Sequence, residues 1–134
     1  MVAVSSKHCG WRGSVADILG AAVAQMCALG AHPADIRAAI GPGIGACCFE
    51  VGPEVVAAAE ALLHEPLGAL VCPRADGKAL LDLKGVNARR LAQLGVPAGQ
   101  IAVSDACTMC RPDVFWSHRA TNGRRGVQAA VITL

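Results

Sequence analysis

The chain has 134 residues, 54% hydrophobic and 16% charged, with a formal net charge of +2. That length suits one domain, residues 1–134, burying roughly two-thirds of its unfolded surface, and the apolar, charge-poor composition excludes a disordered chain. A balance this close to neutral, with two Phe, two Trp and no Tyr for base stacking, argues against a nucleic-acid partner.

Met1–Ser5 (MVAVS) reads as a short buried strand that begins abruptly, as if a further segment belonged before it. Lys7–Gly13 (KHCGWRG) is a glycine-flanked loop. Ser14 is expected to cap a helix, with Asp17 completing a Ser-x-x-Asp arrangement. Ile18, Leu19, Ala22, Val23, Met26 and Leu29 give that helix an apolar face, and Gly30 stops it. Asp35–Ile40 reads as a strand. Pro53 suits the first turn of a second helix, continued by Val55, Val56, Ala59, Leu62 and Leu63 and ending at His64. Residues 65–77 are mostly loop, with a short strand at Ala69–Val71. Asp82 opens a third helix with Leu83, Val86, Leu91 and Leu94 inward and Gly95 as its stop. Gln100–Val103 is a strand. Val114–His118 and Val127–Thr133 read as a hairpin turning at Asn122–Gly123. Strands alternating with helices predict a layered α/β or α+β sandwich with a mixed sheet.

No apolar run reaches the about 18–20 residues of a membrane span. The N-terminus lacks the basic-then-apolar order of a signal peptide, so a cytoplasmic protein is expected. Seven cysteines, an odd number, point to reduced thiols with one or two metal-binding or catalytic members.

The stretch Ile40–Gly52 (IGPGIGACCFEVG) is the most informative. It sets the adjacent thiols of Cys47 and Cys48 on a glycine-rich loop between a strand and a helix start. Such a loop suits a metal ligand or a nucleophile. His8 and His64 flank it, and two imidazoles with one thiolate make a catalytic zinc set that leaves one position open. The expectation is that His8, Cys47 and His64 meet at one site. Each also has a plainer reading: a loop histidine, a small buried hydrophobe, and a cation at a helix C-terminus. Cys107-x-x-Cys110 has zinc-ribbon or redox spacing but no second such pair to complete four ligands, so it is discounted. Arg12, Arg119 and the Asn122–Arg125 cluster are candidate anion contacts. Asp105 stands at a strand end, beside the second cysteine loop.

These blocks resemble one family. His8–Gly13 (HCGWRG) is similar to the HxGWRG motif of the YfiH-like proteins, known as multicopper polyphenol oxidoreductases or laccase-domain proteins and now regarded as purine nucleoside phosphorylases. Ile40–Gly52 resembles its GPxIGxCCFEVG block, Asp105–Thr108 its DxCT, and Phe115–Gly126 (FWSHRATNGRRG) its closing block. The resemblance implies a zinc site at His8, Cys47 and His64, and phosphorolysis of adenosine and inosine to base and ribose 1-phosphate. It also implies cleavage of methylthioadenosine and deamination of adenosine. Arg12, Asp105, Cys107 and Arg119 would line the pocket, with Cys47, His64 and Arg12 catalytic and the other three on substrate. The implied fold is a layered α/β sandwich of the cysteine-hydrolase type, with Cys–His placement like the cytotoxic necrotising factor deamidases. Family members are roughly twice as long, and the part before HxGWRG has no counterpart here. Cys9 and Ala120–Thr121 also depart from the pattern.

The main reading is a zinc-dependent purine nucleoside phosphorylase with purine nucleosides and phosphate as partners, acting as a homo-oligomer or with an N-terminal half supplied separately. A copper-dependent polyphenol oxidase is the enzymatic alternative, and four histidines are too few for a mono- plus trinuclear copper arrangement. An inactive or split fragment that only binds metal, and a metal-free Cys47–His64 hydrolase, are the others.

Overall fold

Residues 3–132 are described by a computed structural model of the chain. Two helices come first, α1 (Trp11–Val15) and α2 (Ile18–Ala28). Ser14 is not a cap: it lies inside α1, buried, with its hydroxyl donating to the Cys9 carbonyl at 3.4 Å. Asp17 is the cap instead. It takes the left-handed conformation (φ 57°), which bends the chain between the helices, and its carboxylate accepts the Gly20 amide at the start of α2. Gly30 (φ 96°) follows the end of α2 as expected.

Strand β1 (Ala38–Ile40) leads into the glycine-rich loop, and β2 (Glu50–Val51) leaves it. Helix α3 (Pro53–Leu63) has Pro53 in its first turn, where a missing N–H costs nothing, and His64 in the left-handed conformation (φ 54°) as its C-cap. A glycine turn separates β3 (Val71–Pro73) from β4 (Ala79–Leu81). Asp82 then caps α4 (Leu83–Gln93), accepting the Gly85 amide at 2.9 Å. Strand β5 (Ile101–Val103) is the last regular element among the described residues.

Parallel and antiparallel pairing both occur, but in two sheets. β1 and β5 pair in parallel, with Ala38 opposite Ile101 and Ile40 opposite Val103. β2, β4 and β3 form an antiparallel sheet in that order. Helix α4 serves both. Its Leu83 and Val86 join Val55, Ala59, Leu62 and Leu63 of α3 with Phe49, just before β2, and with Val51 and Leu81 of the antiparallel sheet. Its Leu91 joins Val23 of α2, Ile36 and Val96 over the parallel pair. Burying a side chain such as Leu63, 1% exposed, contributes about 1.5–3 kcal/mol.

Three expectations are corrected. Residues 3–5 carry no strand, because no neighbouring strand among the described residues offers them a ladder; Met1 and Val2 lie outside the described residues. The hairpin over 114–133 does not form. Asn122 (φ 49°) and Gly123 (φ 84°) do turn the chain, but the flanking segments run without strand pairing, and Val127 and Val131 are 85% and 86% exposed. Thr133 falls outside the described residues. Leu29, assigned to the apolar face of α2, is 58% exposed, since the helix has ended by then. Among the described residues no helix is long and apolar enough to cross a membrane.

Candidate metal centre

The parallel pairing of β1 and β5 does not stop at the strand ends. Ser104 donates its amide to the Ile40 carbonyl (2.9 Å), Gly43 bridges to Cys107, and Thr108 donates to the Gly43 carbonyl (3.0 Å). The glycine-rich loop after β1 and the cysteine loop after β5 are thereby zipped together beyond the C-terminal ends of two parallel strands. Functional side chains of α/β sheets gather at such a place. Lys84, in the first turn of α4, fixes the second loop from below through the carbonyls of Ser104 (2.6 Å) and Ala106 (3.0 Å).

This arrangement brings four thiols together. The sulfurs of Cys47, Cys48, Cys107 and Cys110 all lie within 4.8 Å of one another, the one such group of candidate ligands among the described residues. Cys110 Sγ is 3.6 Å from Cys47 Sγ and 3.4 Å from Cys48 Sγ. Cys107 is buried and Cys47 and Cys110 are exposed. The Gly45 amide donates to Cys107 Sγ at 3.2 Å.

The thiols differ in acidity. Burial pushes Cys107 up, but the amides of Gly45, Cys110 and Met109 outweigh it and bring it down to about 6. Cys48 is pushed up to about 12, first by the hydrogen bond with Cys110 and then by burial. Cys47 is raised for the same leading reason, its bond with Cys110. Of these three thiols Cys107 is thus the most acidic. A bound cation would reverse this order, since a coordinating thiol is deprotonated outright.

The discounting of Cys107-x-x-Cys110 is therefore corrected: the adjacent pair Cys47–Cys48 supplies the missing two sulfurs. Sequence reasoning singled out Cys47 and Cys107 but assigned no role to Cys48 or Cys110. The available signal was that each cysteine pair sits in a loop following an expected strand; that those strands lie side by side is seen only in the structure.

The other predicted residues do not join this cluster. His8 is exposed ahead of α1, and its ring folds back over Gly10 beside a shallow depression of ≈ 320 Å³ that Trp11, Arg12 and Gly13 also line. Arg12 stacks on Trp11, 4.5 Å from the ring centroid. His64 is exposed at the end of α3, where its electrostatic influence falls on Asp17. Neither histidine belongs to the thiol cluster. Arg119 is engaged with β2: its guanidinium donates to the Glu50 carbonyl at 2.6 Å and lies 5.1 Å from the Phe49 ring centroid. Asp105 is exposed in the second cysteine loop.

The family model described as "Multi-copper polyphenol oxidoreductase laccase" matches residues 1–134. Adenosine deaminase RL5, from an unknown prokaryotic organism, is 44% identical over 116 residues, 87% of this chain and 44% of that protein. Purine nucleoside phosphorylase YlmD of Geobacillus stearothermophilus is 37% identical over 131 residues, 96% of this chain and 47% of that protein. The crystal structure of the Geobacillus YlmD superposes with a TM-score of 0.82 at 38% identity, over 89% of this chain and 44% of that one. That of Bacillus licheniformis YfiH gives 0.79 at 39%, over 87% and 44%. The chain spans about half the length of the curated relatives it matches. With its motif blocks, its fold and the family model in agreement along the whole chain, this protein belongs to the laccase-domain family of YfiH and YlmD.

Proposed function

We propose that the chain is the metal-binding portion of a purine nucleoside phosphorylase that also deaminates adenosine. The observation that carries this reading is the zipped pair of loops beyond β1 and β5, which sets Cys47 at the open end of a parallel strand pair. Relatives that share these blocks are named for phosphorolysis or adenosine deamination.

In this reading His8, Cys47 and His64 hold zinc, which supplies Lewis-acid polarisation when bound. Two nitrogens and one sulfur suit zinc, and they are too few for multicopper oxidation. Arg12 and Arg119 bind phosphate through their forked N–H groups, Arg119 after leaving the Glu50 carbonyl. Asp105 and Cys107 face the nucleoside. A phosphate oxygen attacks C1′ of the ribose, the glycosidic bond breaks with its electron pair going to the base, and the base takes up a proton. The Cys–His placement is of the cysteine-hydrolase type. The relatives' remaining half would complete the pocket, as a separate chain or as a further part of this protein. A reducing, cytoplasmic setting belongs to the same proposal, on the odd cysteine count.

The test is base release from inosine and from adenosine, with and without phosphate, by the zinc-loaded protein. It is run alone and after mixing with the N-terminal half of the Geobacillus YlmD. Phosphate-dependent release of hypoxanthine, abolished in His64→Ala, is the expected result. No release from either substrate in either format, by folded protein, overturns the proposal.

A further inference from the structure

We propose that Cys48 and Cys110 form an oxidisable dithiol, which a hydroperoxide converts to a disulfide clasping the two cysteine loops while Cys47 stays with the metal. This goes beyond nucleoside cleavage, and only the reservation of Cys47 rests on that reading.

Proximity across the fold is the first support. The sulfurs of Cys48 and Cys110 lie 3.4 Å apart, although the residues stand 62 positions apart in the chain. A disulfide brings them to about 2.05 Å. Side-chain rotation covers that difference, because the backbone bonds from Ser104 to Ile40 and from Thr108 to Gly43 already hold the loops side by side. Neither loop has to slide past the other.

The second support is that the remaining sulfurs of the cluster are engaged or shielded. Cys107 is buried and accepts the Gly45 amide at 3.2 Å. Cys47 lies 3.6 Å from Cys110, but a thiolate bound to metal beside His8 and His64 is withdrawn from oxidation. Cys110 is exposed and Cys48 half-buried, so a small solute meets Cys110 first, with Cys48 behind it as the resolving thiol.

The chemistry balances with one hydroperoxide. The Cys110 thiolate attacks a peroxide oxygen, the O–O bond breaks and hydroxide leaves with the electron pair, which gives a sulfenic acid. The Cys48 sulfur then attacks the Cys110 sulfur. The S–O bond breaks as the S–S bond forms, and water departs with the Cys48 proton. The two sulfurs lose two electrons and the peroxide gains them, so two thiols and hydrogen peroxide become one disulfide and two waters. A thiol reductant reverses the bond by exchange. In a reducing compartment such a bond is transient and redox-sensing. While it lasts, it ties down the loop that carries Asp105 and Cys107.

A map of free and bonded thiols tests this without any nucleoside. Zinc-loaded protein is treated with a few equivalents of hydrogen peroxide. It is then unfolded with a chelator and an alkylating agent, which label only the thiols still free. The oxidised chain should carry two labels fewer than the reduced one. Fragment-ion mass spectrometry should place one bond between Cys48 and Cys110, with labels on Cys47 and Cys107. Dithiothreitol should restore both lost labels, and amide exchange across residues 104–110 should be slower in the oxidised form. The loss of labels should persist in Cys72→Ser, whose thiol lies outside the cluster, and vanish in Cys110→Ser. Cys110 is exposed, so its serine variant should fold, which circular dichroism verifies; the wild-type map stands on its own in any case. A bond from Cys110 to Cys47 or Cys107, a bond between two chains, or Cys110 oxidised beyond the sulfenic acid overturns the proposal. So does a full set of free thiols in the treated protein, or an undiminished loss of labels in folded Cys110→Ser. Zinc content of the same sample is measured separately: a chain without zinc counts against the nucleoside reading, while the bond map alone decides this one.

Discussion

The amide of Gly45 reaches the sulfur of Cys107 across 3.2 Å, joining residues 62 positions apart in the chain. A side chain on Gly45 would crowd them. A β-carbon on Gly45 would stand 3.1 Å from the β-carbon of Cys107 and 3.3 Å from the sulfur of Cys47. Glycine is favoured here by close approach, not by an unusual backbone angle. Gly45→Ala should force the loops apart, at about 1–3 kcal/mol, the usual range for overpacking. The amide–sulfur bond should lengthen, so the Cys107 thiol of the metal-free protein should titrate above its present value of about 6. Thermal unfolding and thiolate absorbance against pH read the two effects; an unchanged titration would show that the bond does not set the acidity.

Lys84 supports the same loop from the opposite side. Its ammonium bonds the carbonyls of Ser104 and Ala106 at 2.6 and 3.0 Å. Bonds to a charged group contribute about 1.5–3 kcal/mol. Lys84→Met keeps the apolar stem and removes the head. It should lower the unfolding free energy obtained from urea titration by an amount in that range, and it should speed amide exchange across residues 104–110 while leaving α3 protected. Uniform acceleration throughout the molecule would mean that the lysine stabilises the fold as a whole, with no particular hold on the loop.

Asp17 links α2 to α4. Arg90 holds its carboxylate through Nε (2.8 Å) and Nη2 (2.6 Å), while the same group caps α2. Chiefly through the Arg90 bond, and against a smaller opposing effect of burial, the carboxyl is held below its ordinary value. A folded-state pKa below the unfolded one adds stability that is present above about pH 4 and lost as pH falls through the folded value. Asparagine tolerates the left-handed backbone and still caps, so Asp17→Asn isolates the charge. The pair is partly exposed (18% and 36%), so the cost at neutral pH should be about 0.5–1 kcal/mol. The two proteins should converge near pH 2. A gap of the same size at both pH values, in urea unfolding, would refute the electrostatic account.

How much of this was legible beforehand follows from how local each signal is. Pro53, Asp82, Gly30 and Gly95 mark helix ends through their own backbone chemistry, and α2, α3 and α4 lie where those residues put them. The Ser14 cap does not form: Ser-x-x-Asp and a bare aspartate cap read alike, and the Arg90 bond that also holds Asp17 is a tertiary contact. β4 was missed because Ala79–Leu81 is three residues of uninterrupted apolar chain without alternation. The hairpin was over-read because Asn122–Gly123 encodes a turn without encoding what flanks it. The thiol cluster needed long-range register: each cysteine pair was visible, but their meeting depends on β1 lying beside β5.

That register also fixes an order of assembly. β2, β3 and β4, with the helices on either side, lie within one stretch of chain and close small loops. β1 meets β5 only after all of that stretch has been passed over, and loop-closure entropy delays such a contact until the intervening part is already compact. The cysteines are thus expected to come together late in folding. A cation captured there would chiefly slow unfolding, acting as a latch on a finished molecule, and would do little to hasten its formation.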